Sequence, residues 1–93
     1  MQQHRRLNAP SAEQLFGTAL RELRKEKGYS QETLAFESGY HPTYIGQIER
    51  GKKSPSLRAI ISVASALDVL PSDLLQRFER HLGKARPDAR GHH

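Results

Sequence analysis

An all-α fold is predicted by three features of this chain. Apolar residues recur at helical spacing in two long stretches, Leu15, Phe16, Ala19, Leu20 and Leu23 in one and Leu57, Ile60, Ile61, Ala64 and Leu67 in the other, with Val63 beside the second. Serines precede the helical patterns at Ser11, Ser30 and Ser56, where a side-chain oxygen can take a free backbone N–H. The segment Ser30–Gly51 reads as helix, tight turn, helix, the arrangement in which a second helix enters the major groove of DNA.

Taken in order, residues 1–10 are polar and basic and end at Pro10. They read as a terminal arm, either mobile or carrying Arg5 and Arg6 to the minor groove. Ser11 and Gln14 have capping-box spacing, so a first helix should run to about Lys27 and stop at Gly28. Its far end is basic through Arg21, Arg24, Lys25 and Lys27, which complements the C-terminal dipole. Ser30 caps a second helix that carries Glu32 in its first turn and stops at Gly39, a residue able to take the left-handed conformation. Pro42 suits the first turn of a third helix, closed by Gly51.

Lys52-Lys53-Ser54-Pro55-Ser56 is a loop, and Ser56 caps the fourth helix, whose apolar stripe is expected to be buried. Asp68 sits at its stop. Leu70-Pro71-Ser72-Asp73 opens a fifth helix with apolar residues Leu74, Leu75, Phe78 and Leu82, ended by Gly83. The arc of those four is broad, so they either close the core or face a second subunit. The domain is therefore expected at 11–83 and a polar tail at 84–93, in which His92 and His93 are native or a remnant of a purification tag.

Ninety-three residues make one domain. The net charge is +5, from 15 Lys+Arg against 10 Asp+Glu, which favours a polyanionic partner, nucleic acid before a membrane surface. There is no cysteine, hence no disulfide framework and no thiolate zinc site, and a reducing cytoplasm is the expected location. No apolar run approaches the ~20 residues of a membrane span, and Met1–Arg6 leads into no signal-peptide stretch. The five histidines lack metal-ligand spacing. No glycine-rich phosphate cradle and no Ser/His/Asp set argues for catalysis; Glu13, Glu22, Glu26, Glu32 and Glu37 read as exposed helix charges. No cofactor is expected.

In the third helix Ile45 and Ile48 are the only large aliphatics, so they mark its buried side. At about 100° per residue, Thr43, Gly46, Gln47 and Arg50 then point outward, with Pro42, Tyr44 and Glu49 on the flanks. Gln47 has a carboxamide able to make a bidentate pair with adenine; the plain alternative is a solvated glutamine. Thr43 suits a thymine methyl or a phosphate, or else supports the helix start. The hydroxyl of Tyr44 suits phosphate or sugar, with its ring packed on neighbours. Arg50, Lys52, Lys53 and Ser54 are placed to follow the phosphate backbone, giving affinity without sequence information. His41 reads as a turn or phosphate-side residue.

At Gln31, Ala35, Gly39, Ile45, Ile48, Glu49 and Gly51 the chain resembles the Cro and lambda-repressor-like helix-turn-helix family, also called the XRE family. The resemblance runs from about Phe16 to Leu75 and is most specific in Tyr44–Gly51 followed by Pro55-Ser56-Leu57. It implies a five-helix lambda-repressor-like domain, a phosphate contact from Gln31, groove-facing Pro42, Thr43, Tyr44 and Gln47, and a structural ion pair between Arg24 and Glu49. Two departures stand out. Pro42 replaces a hydrogen-bonding side chain, and Gly46 a small polar residue, which leaves base readout resting chiefly on Thr43 and Gln47. The implied function is a sequence-specific transcriptional regulator that binds double-stranded DNA as a homodimer on a palindromic operator, with Leu74, Leu75, Phe78 and Leu82 as the dimer contact. The rival reading is an antitoxin-type protein-interaction module in which DNA binding is secondary.

Overall fold

Each helix begins where a side chain is ready to accept its free N–H groups. Ser11 Oγ accepts from the Gln14 N–H at 3.0 Å while Gln14 Oε1 accepts from the Ser11 N–H at 2.8 Å, a complete capping box. Ser30 and Ser56 accept from the N–H groups of Thr33 and Ala59. In the computed structural model, which describes residues 9–85, these caps open α1 (Ala12–Lys27), α2 (Gln31–Ser38) and α4 (Leu57–Ala66). The third helix, α3 (Pro42–Glu49), is capped by an imidazole, His41 Nδ1 accepting from the Thr43 N–H at 3.1 Å. The fifth, α5 (Pro71–Ala85), starts with proline at its first position and Asp73 Oδ2 accepting from the Leu70 N–H. No strand occurs among the described residues.

The turn between α2 and α3 depends on Gly39, whose φ of 81° lets its N–H and that of Tyr40 close back onto the last turn of α2. Asp68 makes the corresponding stop after α4 with φ 59°, the one positive value on a non-glycine among the described residues.

The core gathers Phe16, Ala19 and Leu20 of α1, Leu34 and Ala35 of α2, Ile45 and Ile48 of α3, and Val63, Leu67 and Leu74 from the α4–α5 half. Each large aliphatic fully buried there contributes roughly 1.5–3 kcal/mol. The helix α1 is the spine: it packs along α5 on one side and α3 on another, while α2 rests on α3 and α4. Gly17 makes the α1–α3 crossing possible, since a Cβ there would overlap the carbonyl oxygens of Ile48 and Glu49.

Four expectations are corrected. Leu57 and Ile61 are not buried; Leu57 is 74% exposed, and the inward face of α4 is instead Ala59, Val63 and Ala64, with Ile60 half-buried. The helix is apolar on two adjoining arcs, and the arc carrying the small alanines is the one that approaches its neighbours. Gly83 does not end α5, which continues to Ala85. A helical glycine is only about 1 kcal/mol worse than alanine, and anchors one and two turns earlier hold this end. Leu74 is fully buried and Phe78 packs edge-on against Phe16 with ring centroids 6.0 Å apart, so neither is free for a partner. Lastly, Glu22 is half-buried and Glu26, exposed as expected, is paired like it. Arg77 bonds Glu22 at 3.1 Å and Glu26 at 2.8 Å, and His81 Nε2 lies 2.9 Å from Glu22, pinning α5 to α1. Arg5, Arg6, His92 and His93 lie outside the described residues.

The hydrogen bond from His81, then that from Arg77, holds the Glu22 carboxyl below its ordinary value, and the Arg77 guanidinium does the same for Glu26. A carboxylate whose folded value is depressed stabilises the fold above its unfolded value, and that contribution disappears as pH falls through the folded value. The melting temperature should therefore drop on acidification below about pH 4.5, the ordinary carboxylate value. The double variant Glu22→Gln with Glu26→Gln should show a shallower acid loss, which melting curves between pH 7 and pH 3 will measure.

Candidate nucleic-acid interface

An eight-residue helix such as α3 is marginal on its own, so its orientation comes from what it is fastened to. Ile45 and Ile48 are buried in the core, as their spacing predicts. The second fastening is polar. Arg24 reaches from α1 to Glu49 at the end of α3 with two parallel bonds, Nε to Oε2 at 2.6 Å and Nη2 to Oε1 at 3.0 Å. Its Nη1 donates to the Tyr29 carbonyl at 2.8 Å, and Gln31 Nε2 donates to Glu49 Oε1 at 2.9 Å. The Glu49 side chain is only 2% exposed, so it lies inside the domain and not on the flank of α3. No buried side-chain nitrogen or oxygen among the described residues lacks a partner. Arg24 and Glu49 thus join as the family resemblance implies, and Arg24 turns inward from the basic end of α1.

With that side locked, the opposite side of α3 is open. Thr43 and Arg50 are exposed, while Pro42, Tyr44 and Gln47 are half-buried. Among the described residues, the side chains of Thr43, Gln47 and Arg50 make no hydrogen bond to the protein, so their polar groups are free for a ligand. The Tyr44 ring rests on Tyr40, centroids 5.0 Å apart. Lys52, Lys53 and Ser54 follow as an exposed loop. Gln31 sits at the first position of α2 beside the same face, with its Nε2 turned to Glu49.

Gly46 departs from expectation. It is buried, because the Arg50 and Gln31 side chains lie over it. Helical periodicity places residue 46 outward correctly, but it cannot show that a side chain one turn later folds back across it. His41 as a cap was likewise not distinguished from a turn residue; its spacing, two before Thr43, was the available signal.

The sequence profile of the helix-turn-helix family matches residues 20–75. The chain belongs to this family. It is 50% identical over 62 residues to the control protein C.BamHI of Bacillus amyloliquefaciens, covering 66% of this chain and 76% of that protein. It is 37% identical over 68 residues to the transcriptional regulator SinR of Bacillus subtilis, covering 72% of this chain and 60% of SinR. Among solved structures, the restriction-modification controller protein C.AhdI from Aeromonas hydrophila superposes with a TM-score of 0.66 and 52% identity, over 67% of this chain and 94% of that one. The clp gene regulator ClgR from Corynebacterium glutamicum superposes at 0.75 with 33% identity, over 86% and 87% of the two chains. With this membership and these relatives, the chain is a DNA-binding transcription regulator and not an enzyme.

The ion pair gives a direct test of how α3 is held. Glu49→Ala strands a buried guanidinium and should cost about 3–5 kcal/mol, whereas Arg24→Met with Glu49→Leu should cost far less, because no charge is left unpaired. Urea denaturation of the two variants will show whether that asymmetry holds.

Proposed function

We propose that this protein reads a palindromic operator in double-stranded DNA as a homodimer, with α3 of each copy in a major groove. The observation that carries this reading is the free polar face of α3, where Thr43 and Gln47 project from a helix whose other side is fixed by Ile45, Ile48 and the Arg24–Glu49 pair. Gln47 takes an adenine edge, and Thr43 a thymine methyl or a phosphate. Pro42 and Tyr44 border the bases, Tyr44 also offering its hydroxyl to the backbone. Lys52, Lys53 and Ser54 follow the phosphates after α3. Gln31 contributes from the start of α2, where the second hydrogen of its Nε2 remains available beside the bond to Glu49. A DNA target is consistent with the cytoplasmic location expected from the sequence.

The dimer contact moves from the face first expected. With Leu74 in the core and Phe78 on Phe16, the exposed aliphatics are Leu57, Ile61, Leu70 and Leu75. Ile61, Val69, Leu70 and Pro71 line a shallow groove at the α4–α5 corner, Leu57 lies one turn before Ile61, and Leu75 one turn after Pro71. A second copy is the occupant that matches, because one module of this size has limited area for specificity and a two-fold pair doubles it. Identity of about one half to the control proteins C.BamHI and C.AhdI favours a controller of a restriction-modification system over an antitoxin-type module.

Selection of bound fragments from random duplex DNA should enrich a motif with two-fold symmetry. Gln47→Ala should then lose preference at one base pair per half-site, by ~1–3 kcal/mol; an equal loss on every sequence would assign Gln47 to the backbone. Replacing Lys52 and Lys53 by alanine should weaken binding uniformly and flatten the log–log salt dependence by ~0.9 per phosphate contact. Ile61→Glu should give a folded monomer in sedimentation velocity, with the helical circular-dichroism spectrum of the wild type, since this side chain is already half in water.

A further inference from the structure

Among the groove-side residues, the Arg50 guanidinium is the one whose position is built by another residue's missing side chain. In a helix, side chains lean toward the N-terminus, so residue 50 covers the surface at residue 46. A Cβ on Gly46 would stand 3.0 Å from Arg50 Nη1 and 3.9 Å from its Cζ, so the guanidinium rests against the position that a side chain at 46 would take and would have to shift to admit one. Gln31 Oε1 lies 3.5 Å from that same point. The Gln31 carboxamide thus turns its nitrogen to Glu49 and its oxygen to the side on which Arg50 rests.

We propose that Arg50 is a specificity-determining residue that presents its fork to a guanine edge, and that Gly46 is the seat that aims it. This rests on the reading of α3 as the groove helix. One observation favours a base over a phosphate, and two more leave the fork free and suited to make the contact. The guanidinium lies back over Gly46, one turn before its own residue, and does not extend beyond the helix end as a backbone clamp would. No carboxylate among the described residues pairs with it; the nearest in sequence, Glu49, is taken up by Arg24 and Gln31. A planar fork of donors matches the O6 and N7 acceptors of guanine in a fixed geometry, which a flexible point-charge ammonium meets less well. Glycine inside a helix is otherwise unfavourable, and at residue 46 its retention is explained by the room it leaves.

The test is selection from a random duplex library with the wild-type protein, Arg50→Lys and Gly46→Ala, followed by competition on single-base-pair variants of the duplex that the wild type enriches. Gly46→Ala meets only the far end of a flexible side chain and improves helix propensity, so it should melt at or above the wild-type temperature. The wild type should enrich a G·C pair in each half-site. At that pair, and at no other, both variants should lose discrimination by about ten- to a hundred-fold. The salt dependence of Arg50→Lys should stay at the wild-type slope. A motif left intact by both variants, or an equal loss at every position, overturns the assignment of Arg50 to a base while leaving α3 as the groove helix. A wild-type protein that enriches no duplex overturns both. Should Gly46→Ala fail to fold, Arg50→Lys alone decides.

Discussion

The orientation of α3 depends on one buried ion pair. Arg24 and Glu49 connect the last turn of α1 to the last residue of α3, and through Gln31 and the Tyr29 carbonyl they also tie in the start of α2. The three elements that must keep a fixed relation for DNA recognition therefore meet at a single carboxylate. A pair this buried is weak evidence for net stability, because desolvation offsets much of the attraction. Its value lies in direction. Two parallel bonds from a planar fork accept only a narrow range of angles, whereas Ile45 and Ile48 alone would tolerate some rotation of α3 about its axis. The apolar contacts hold the helix down, and the ion pair sets which residues face out.

That division of labour explains what was legible in the sequence. Local chemistry was read well: the serine caps, the Gly39 turn, Pro42 at the start of α3 and the left-handed Asp68 all act within four residues, so spacing along the chain is enough. The buried side of α3 followed from Ile45 and Ile48 because that helix has only one apolar side. Helix α4 has two, and periodicity could not decide whether Leu57 and Ile61 or Ala59 and Val63 meet the core. Helix α5 posed the same difficulty, since the inward turn of Leu74 and the outward turn of Leu75 are fixed by where α1 lies. The Arg24–Glu49 pair spans 25 residues and was reached by family resemblance, not by spacing. Gln31 and Arg50 covering Gly46 needed side-chain placement, which no pattern of residue types contains.

Charge is sorted by the fold in a way that composition hides. The excess of basic residues is not spread evenly over the surface. Arg24 is withdrawn into the interior, and Arg77 is spent on two glutamates of α1. The cations left unpaired near the motif, Arg50, Lys52 and Lys53, stand together on and just after α3. The local field toward a duplex is thus set by a few well-placed side chains, and the clasp between α1 and α5 keeps their acidic counterparts on the far side of α1 from α3.

The crossing at Gly17 has a consequence for how binding preference can diverge. Where α1 rests on the closing carbonyls of α3, main chain meets main chain with no compressible layer between them. Side chains at Thr43 or Gln47 therefore stand on a mount that has no room to tilt with them. What the helix offers outward can vary while its seating stays the same.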